Sequence, residues 1–315
     1  MRIATFATGG IGGFLAVKLT HRGHDVATIA RAAHLTAIKT AGLSLERDGA
    51  RETVRPWKAT DRAEDVGPVD VVLFAVKGDH LEAAARSALP LLGPDTLVVP
   101  FLNGVEASDR LARFLPPQNV GNGVAYLVAA ISSPGTIRQT GTLSRFIFAE
   151  RDSRATRRVE ALRSAFLDAG LEAPATRDIV YEVWTKFVFF SALSGVTTAT
   201  RCSIEDVRTN PATARLFREV MEETAALARA RGVCLSRNVV DRHWDLLQSL
   251  PGETRSSTYT DLANGAPLET PWINGAVARL SAETGLTATA NRTIHALLAP
   301  HIAGKAKLQR RLRRV

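Results

Sequence analysis

The first half of the chain alternates short apolar runs with stretches of helical periodicity. Strands are predicted over residues 3–6, 25–30 and 69–76, and the last run is almost wholly apolar and β-branched, as in a strand covered on both faces. Helices are predicted between them, over residues 11–22 and 80–92. Strands that alternate with helices imply right-handed crossovers and a parallel, doubly wound sheet.

The alternation continues to about residue 170, and the pattern changes only after that. A turn at residues 93–95 leads to a strand over 96–102, and further strands are predicted over 135–148, with a turn near Gly141 and Thr142. A helix over 154–169 follows, and strand signals then fade. The later helices are predicted over residues 179–192, 211–231, 239–250, 274–284 and 290–298. The predicted fold is an α/β Rossmann-like domain over residues 1–176, followed by an all-α domain over residues 177–315.

Length and composition agree with two ordinary globular domains. The chain has 315 residues, of which 45% are hydrophobic and 23% charged, which excludes disordered, collagen-like and coiled-coil proteins. Two cysteines cannot build a disulfide framework, and the start of the chain has no apolar signal segment. No apolar stretch is expected to approach the roughly 20 residues of a membrane span. We therefore expect a cytoplasmic protein without a membrane partner.

The net charge of +9 is unevenly distributed along the chain. Six positive charges and no acid lie in residues 301–315, so the remainder carries only +3. Such a tail is usually a solvated helix end, and the alternative is a segment that binds a polyanion. Because no aromatic residues are interleaved with these charges, the tail does not indicate a nucleic-acid partner.

A glycine-rich turn follows the first predicted strand and opens the first helix. Its residues are Ala7, Thr8, Gly9, Gly10, Ile11 and Gly12. Glycines at this place let the backbone approach a pyrophosphate, while the helix N-terminus offers free N–H groups. The usual pattern has three glycines, and Ala7 stands in place of the first. The alternative is a tight turn that needs glycines only for its shape.

Three more residues follow predicted strands, where open α/β sheets bind ligands. Arg31 ends the second strand at a place where an acid would favour NAD, and its guanidinium suits the 2′-phosphate of NADP(H). Lys77 could approach the cofactor, and Asn103 offers an amide that can contact nicotinamide, ribose or substrate. Each of them precedes a glycine, so a plain turn residue explains either one equally well. The alternative for Arg31 is an exposed loop arginine that contacts no phosphate.

Lys186 lies in a helix segment whose neighbours are nearly all apolar. A lysine at such a place either extends its ammonium group to solvent or has a functional role. If it is desolvated at a cleft, its pKa falls toward neutrality, which suits a proton donor. Glu182, one turn earlier, offers the plainer alternative of a surface ion pair. The histidines are scattered, so no metal site is expected.

The order and spacing of these features resemble the ketopantoate reductase (2-dehydropantoate 2-reductase) family over nearly the whole chain. The series comprises the turn ending at Gly12, Arg31, Lys77, Asn103, Trp184-Thr185-Lys186, Ser256-Ser257, Leu268-Glu269 and Ile273-Asn274-Gly275. The resemblance implies an NADPH-dependent reduction of a small 2-oxo acid. In this family the reaction reduces ketopantoate to pantoate, a step of pantothenate biosynthesis.

The resemblance also implies roles for individual residues in a cleft between the domains. Lys186 would donate the proton to the developing alkoxide, and Asn103 would position cofactor and substrate. Ser257 would bind the substrate carboxylate, Ser194 would lie at the substrate, and Glu269 would contact the cofactor ribose or the substrate hydroxyl. Whether the protein forms a homodimer is not determined by the sequence.

Two departures from the family pattern bear on the substrate. The family commonly carries asparagines four and eight residues after its lysine, where this chain has Phe190 and Ser194. An aromatic ring in place of an amide favours a larger or more apolar 2-oxo acid. The alternatives are therefore a paralogous NADPH-dependent reductase of such an acid, or a non-catalytic NADP-binding sensor.

Overall fold

The computed structural model describes residues 1–305, so the part of the basic tail from residue 306 onward lies outside the described residues. The chain divides into two compact units. The first comprises Met1–Leu102 and Glu106–Glu182, and the second comprises Asn103–Val105 and the chain from Val183 onward. The main break follows Glu182, whereas we predicted it after residue 176.

Two sheets and five helices build the first unit. Its strands are β1 (Arg2–Phe6), β2 (Asp25–Ile29), β3 (Leu43–Arg47), β4 (Ala50–Val54), β5 (Lys58–Thr60), β6 (Val69–Phe74), β7 (Leu92–Pro100), β8 (Gly121–Ser133) and β9 (Thr136–Glu150). Its helices are α1 (Gly10–His21), α2 (Ala32–Ala41), α3 (Leu81–Ala88), α4 (Ala107–Leu111) and α5 (Arg157–Asp168).

The larger sheet is parallel and has the strand order β5-β2-β1-β6-β7. The order reverses between β1 and β6, which makes the carboxyl ends of these strands the expected ligand crevice of an open α/β sheet. The predicted Rossmann-like, doubly wound sheet is confirmed. Strand β7 begins earlier than predicted, at Leu92, so the predicted turn at residues 93–95 lies inside it.

Strand β6 shows why its sequence is an unbroken apolar run. Val71 and Leu73 belong to a core on one face of the sheet, and Val72 and Phe74 belong to a second core on the other face. Because successive side chains of a strand point to opposite faces, burial on both sides requires an apolar residue at each position.

The second sheet, with the order β4-β3-β9-β8, was not predicted. Its longest pair is the antiparallel hairpin of β8 and β9. The hairpin turns at Gly135, which has a φ of +77°, so the turn predicted near Gly141 and Thr142 is wrong. Gly141 lies inside β9 with a φ of +70°, close to the place where the pairing shifts register. A glycine in a strand marks such an irregularity as readily as a turn.

The second unit is helical, as predicted. Its helices are α6 (Ile179–Thr200, whose first turn still belongs to the first unit), α7 (Ile204–Thr209), α8 (Pro211–Ala230), α9 (Val239–Ser249), α10 (Ser257–Ala263), α11 (Asn274–Glu283) and α12 (Thr289–Leu298). Helix α6 extends past the predicted end at residue 192, and its later hydroxyls bond back along the helix. Thr197 Oγ1 donates to Leu193 O at 2.6 Å, and Thr200 Oγ1 to Val196 O at 2.7 Å.

By length and composition, α6 is also apolar enough to cross a membrane, and 56% of its most apolar window is buried inside the protein. The expectation that no apolar stretch approaches that length is therefore wrong. The helix carries Lys186, and several of its buried hydroxyls are hydrogen-bonded; Ser191 Oγ, for example, pairs with Thr224 Oγ1 at 2.9 Å. These features are those of a core helix of the second unit.

Candidate functional site

The glycine-rich turn lies between β1 and α1, where the sequence predicts it. Helix α1 begins at Gly10 with Gly9 as its N-cap, and in the described chain no side chain caps it and no acid lies in its first turn. A Cβ on Gly9 would meet nothing within 4 Å. The turn therefore presents open space and helix N–H groups together, which suits an anionic pyrophosphate.

The other glycines of this region serve packing instead. A Cβ on Gly10 would overlap the carbonyl oxygen of Ala129 in β8, and one on Gly12 would overlap that of Ala7. A Cβ on Gly13 would lie 2.6 Å from the side chain of Ile137 in β9. Both the second sheet and the turn itself thus approach α1 too closely for any larger residue.

The turn before α1 is held in a strained conformation. Ala7 has a φ of +67°, in the left-handed region that favours glycine. The neighbouring Thr8 is anchored to the end of β2, because its N–H and its Oγ1 both donate to Ile29 O, at 3.1 and 3.2 Å. These two bonds help to hold the turn in a conformation that the alanine alone would not favour.

His34, in α2, also contacts this turn. Its Nε2 lies 2.9 Å from Thr8 O, and its Nδ1 lies 3.0 Å from the backbone nitrogen of Gly135. Neither α2 nor this histidine was predicted from the sequence, because residues 32–41 have only a short, weakly apolar face. The available signal was its position three residues after Arg31.

Arg31 and Lys77 occupy the carboxyl-end edge of the parallel sheet. Arg31 follows β2, is exposed, and is the N-cap of α2. It has no carboxylate partner among residues 1–305. The next residue, Ala32, has a φ of +50°, so the chain turns sharply there. Lys77 follows β6 and is exposed.

Three predicted residues come together in the second unit. Lys186 Nζ donates to Asn103 Oδ1 at 3.2 Å, across 83 positions of the chain. Burial lowers the pKa of Lys186 to about 8, and the carboxylate of Glu269 opposes that fall. The ammonium form therefore still prevails at pH 7, although the side chain is partly withdrawn from water.

A close backbone contact joins the chain segments that carry Asn103 and Glu269. Gly104 has a φ of +96°, and a Cβ there would lie 2.7 Å from Trp272 O. Glu269 precedes the short 3₁₀ turn that ends at Trp272. The Asn-Gly pair is therefore a turn as well as a site segment, because its glycine permits both the conformation and the approach.

The remaining predicted residues have different surroundings. The ring of Phe190 lies 5.2 Å from Lys186 Nζ, which is the range of a cation–π contact. Ser194 is fully buried, and its Oγ pairs with Thr258 Oγ1 at 2.7 Å. Ser257 is exposed in the first turn of α10, so the substrate roles of Ser194 and Ser257 stay predictions.

Comparison with known proteins gives one consistent result. The model of the ketopantoate reductase PanE/ApbA family matches residues 3–153, and the model of its C-terminal domain matches residues 178–301. A 2-dehydropantoate 2-reductase of Mesorhizobium japonicum is 33% identical over 304 residues, which cover 89% of this chain and 91% of that protein.

Solved structures share the fold. A PanE/ApbA family ketopantoate reductase from Ralstonia eutropha has a TM-score of 0.87 at 30% identity, covering 96% of this chain and 98% of that one. A D-mandelate dehydrogenase, solved with NADH and anilino(oxo)acetate, has a TM-score of 0.87 at 22% identity, with 96% and 98% covered. At 22% identity this similarity shows a shared fold and nothing about function.

The strained turn predicts that Ala7→Gly stabilises the protein. Removing the left-handed penalty outweighs the added chain entropy, so the free energy of unfolding should rise by about 0.5–1 kcal/mol. The same change at Ala16, buried inside α1, should lower it by about 1 kcal/mol or more. Urea unfolding at 25 °C measures both, and a destabilised Ala7→Gly variant would contradict the strain at Ala7.

Proposed function

The chain belongs to the ketopantoate reductase family, and on that premise we propose that it is an NADPH-dependent 2-dehydropantoate 2-reductase that forms pantoate for pantothenate biosynthesis. Membership makes it an oxidoreductase acting on CH–OH groups, with a small keto acid as substrate, which sets aside the non-catalytic sensor. A cytoplasmic location stays a prediction.

The observation that carries the proposal is the contact of Lys186 with Asn103 beside Glu269. These residues come from three separate segments of the chain, and each has the chemistry that the reaction needs. An ammonium group with a pKa of about 8 is a proton donor suited to neutral pH. An amide oxygen and a carboxylate fix its position and its charge.

The first unit supplies a fitting cofactor site. A nicotinamide dinucleotide, when bound, supplies the hydride that reduces the keto carbon. Gly9 leaves space for its pyrophosphate at the N-terminus of α1, and the exposed Arg31 suits a 2′-phosphate better than a 2′-hydroxyl. This arginine is the reason to propose NADP(H) rather than NAD(H).

The residues of the second unit then perform the proton chemistry. Lys186 Nζ donates a hydrogen bond to the keto oxygen and transfers its proton as negative charge develops there, which completes the hydroxyl group. Asn103 Oδ1 accepts a second N–H of the ammonium and so directs the remaining protons. The neutral amine is reprotonated from solvent, and the nearby Glu269 carboxylate favours that step.

A specific observation also favours a second candidate, a reductase of a more apolar 2-oxo acid. Phe190 follows Lys186 by one helical turn, and its ring lies 5.2 Å from the ammonium nitrogen. An aromatic surface at that place accepts an apolar substituent better than the pantoyl hydroxyl, which needs a hydrogen-bond partner. Ser194, buried against Thr258, offers no replacement for the amide.

A substrate panel tests the proposal. With NADPH, the protein should reduce ketopantoate, followed by loss of nicotinamide absorbance, and Lys186→Ala should lower kcat by about a hundredfold or more while NADPH binding persists. Lys39→Ala, at an exposed site in α2, is the control. Faster reduction of phenylglyoxylate than of ketopantoate would favour the second candidate, and unchanged turnover in Lys186→Ala would remove Lys186 from the mechanism.

The pKa of Lys186 predicts the pH profile. Since the protonated form is the donor, kcat/KM should be level below pH 8 and fall about tenfold per pH unit above it. Glu269→Gln removes the charge that raises this pKa, so the break should move to lower pH. Initial rates between pH 6 and 10 measure both profiles. A break that stays in place or rises would contradict the role of Glu269.

Cofactor preference tests Arg31. In Arg31→Ala, the Kd of NADPH should rise about tenfold or more, because a charge-assisted hydrogen bond to phosphate is lost, while the Kd of NADH should hardly change. Arg22→Ala, at an exposed arginine after α1, should alter neither. An equal rise in the Kd of NADPH and the Kd of NADH in Arg31→Ala would argue against a 2′-phosphate contact.

A further inference from the structure

His34 has a definite protonation state, set by its two backbone partners. Gly135 N–H is a donor, so His34 Nδ1, 3.0 Å away, must accept. The proton of a neutral ring is then on Nε2, which donates to Thr8 O at 2.9 Å. Burial lowers the pKa of His34 below its ordinary value, which favours this neutral form at pH 7.

The partner on the Nδ1 side is rigid. Gly135 has a φ of +77°, and a Cβ there would lie 2.9 Å from the Cβ of Ala37, one turn after His34 in α2. Gly135 O in turn accepts from Ser44 N at 2.8 Å. The hairpin turn is therefore packed against α2 and bonded to β3, and it fixes the plane of the imidazole.

The partner on the Nε2 side is the glycine-rich turn. Thr8 lies between the strained Ala7 and Gly9, whose open face is the place for a pyrophosphate. The N–H and hydroxyl of Thr8 are held by Ile29 O, and its carbonyl is held by His34. Rotation of the Thr8–Gly9 peptide would move the N–H groups that follow, and a fixed carbonyl prevents that rotation.

We propose that His34 is a positioning residue for the dinucleotide: through Nε2 it holds the Thr8 carbonyl and so keeps the Gly9 backbone oriented for the pyrophosphate. The inference rests on the proposed function, since it presumes that this turn binds a nicotinamide cofactor. The hydrogen bond to Thr8 is the one that affects dinucleotide binding, and the bond to Gly135 only orients the imidazole ring.

Two substitutions separate the two bonds. The amide of an asparagine reaches the place of Nδ1, so His34→Asn keeps an acceptor for Gly135 and loses the donor to Thr8. The longer glutamine reaches the place of Nε2, so His34→Gln keeps the donor and loses the acceptor. Loss of one neutral hydrogen bond should raise the Kd of NADPH about three- to tenfold in His34→Asn, and His34→Gln should stay within about twofold of wild type.

Binding is measured by NADPH fluorescence on the full chain, and Tm is measured without cofactor. A purely structural role would lower Tm in both variants and change both Kd values alike. The same two substitutions at His24, which is partly buried between α1 and β2, serve as controls and should leave the Kd unchanged.

The outcomes are distinct. A Kd raised in His34→Asn and retained in His34→Gln supports the inference. Equal changes in the two variants, or none in either, overturn it while the proposed function stands, provided that wild type binds NADPH. A wild-type protein that binds neither NADPH nor NADH overturns the proposed function and this inference with it.

Discussion

The close approach of two sheets to α1 is the constraint on which the first unit depends. Most of this helix is fully buried, including Phe14, Leu15 and Val17, because the parallel sheet and the β8–β9 hairpin both pack on it. Gly10 and Gly13 let the strands of the second sheet come that near. The same packing fixes the N-terminus of α1 and the glycine-rich turn before it, because the core around them is closely packed.

A second constraint acts in the helical unit, where a lysine is placed on the core helix α6. Desolvation makes its ammonium form less stable, and the amide of Asn103 and the charge of Glu269 offset part of that cost. The balance leaves a group that is charged at neutral pH and still able to release its proton. The lowered pKa and the partial destabilisation of the charged form therefore have one physical origin.

Much of the architecture could be predicted from the sequence. The apolar run of β6 is short and β-branched, as in a buried strand, and a helix such as α8 repeats its buried apolar residues with a helical period. The second sheet could not be predicted in the same way. Strand β4 is largely exposed, and most of β8 after Leu127 is exposed although it stays apolar as far as Ile131, so their pairing depends on partners distant in the chain.

The sequence by itself determined the residue types of the site and their order along the chain: a glycine turn after a strand, arginine and lysine after later strands, and a lysine within an apolar helix. Only the tertiary structure decided how these residues are used. It assigned Gly9 to open space and Gly10 to packing, grouped Asn103 with the helical unit, and buried Ser194 against Thr258. Chemical capacity is a property of each side chain, whereas proximity, desolvation and backbone strain arise only when distant segments pack together.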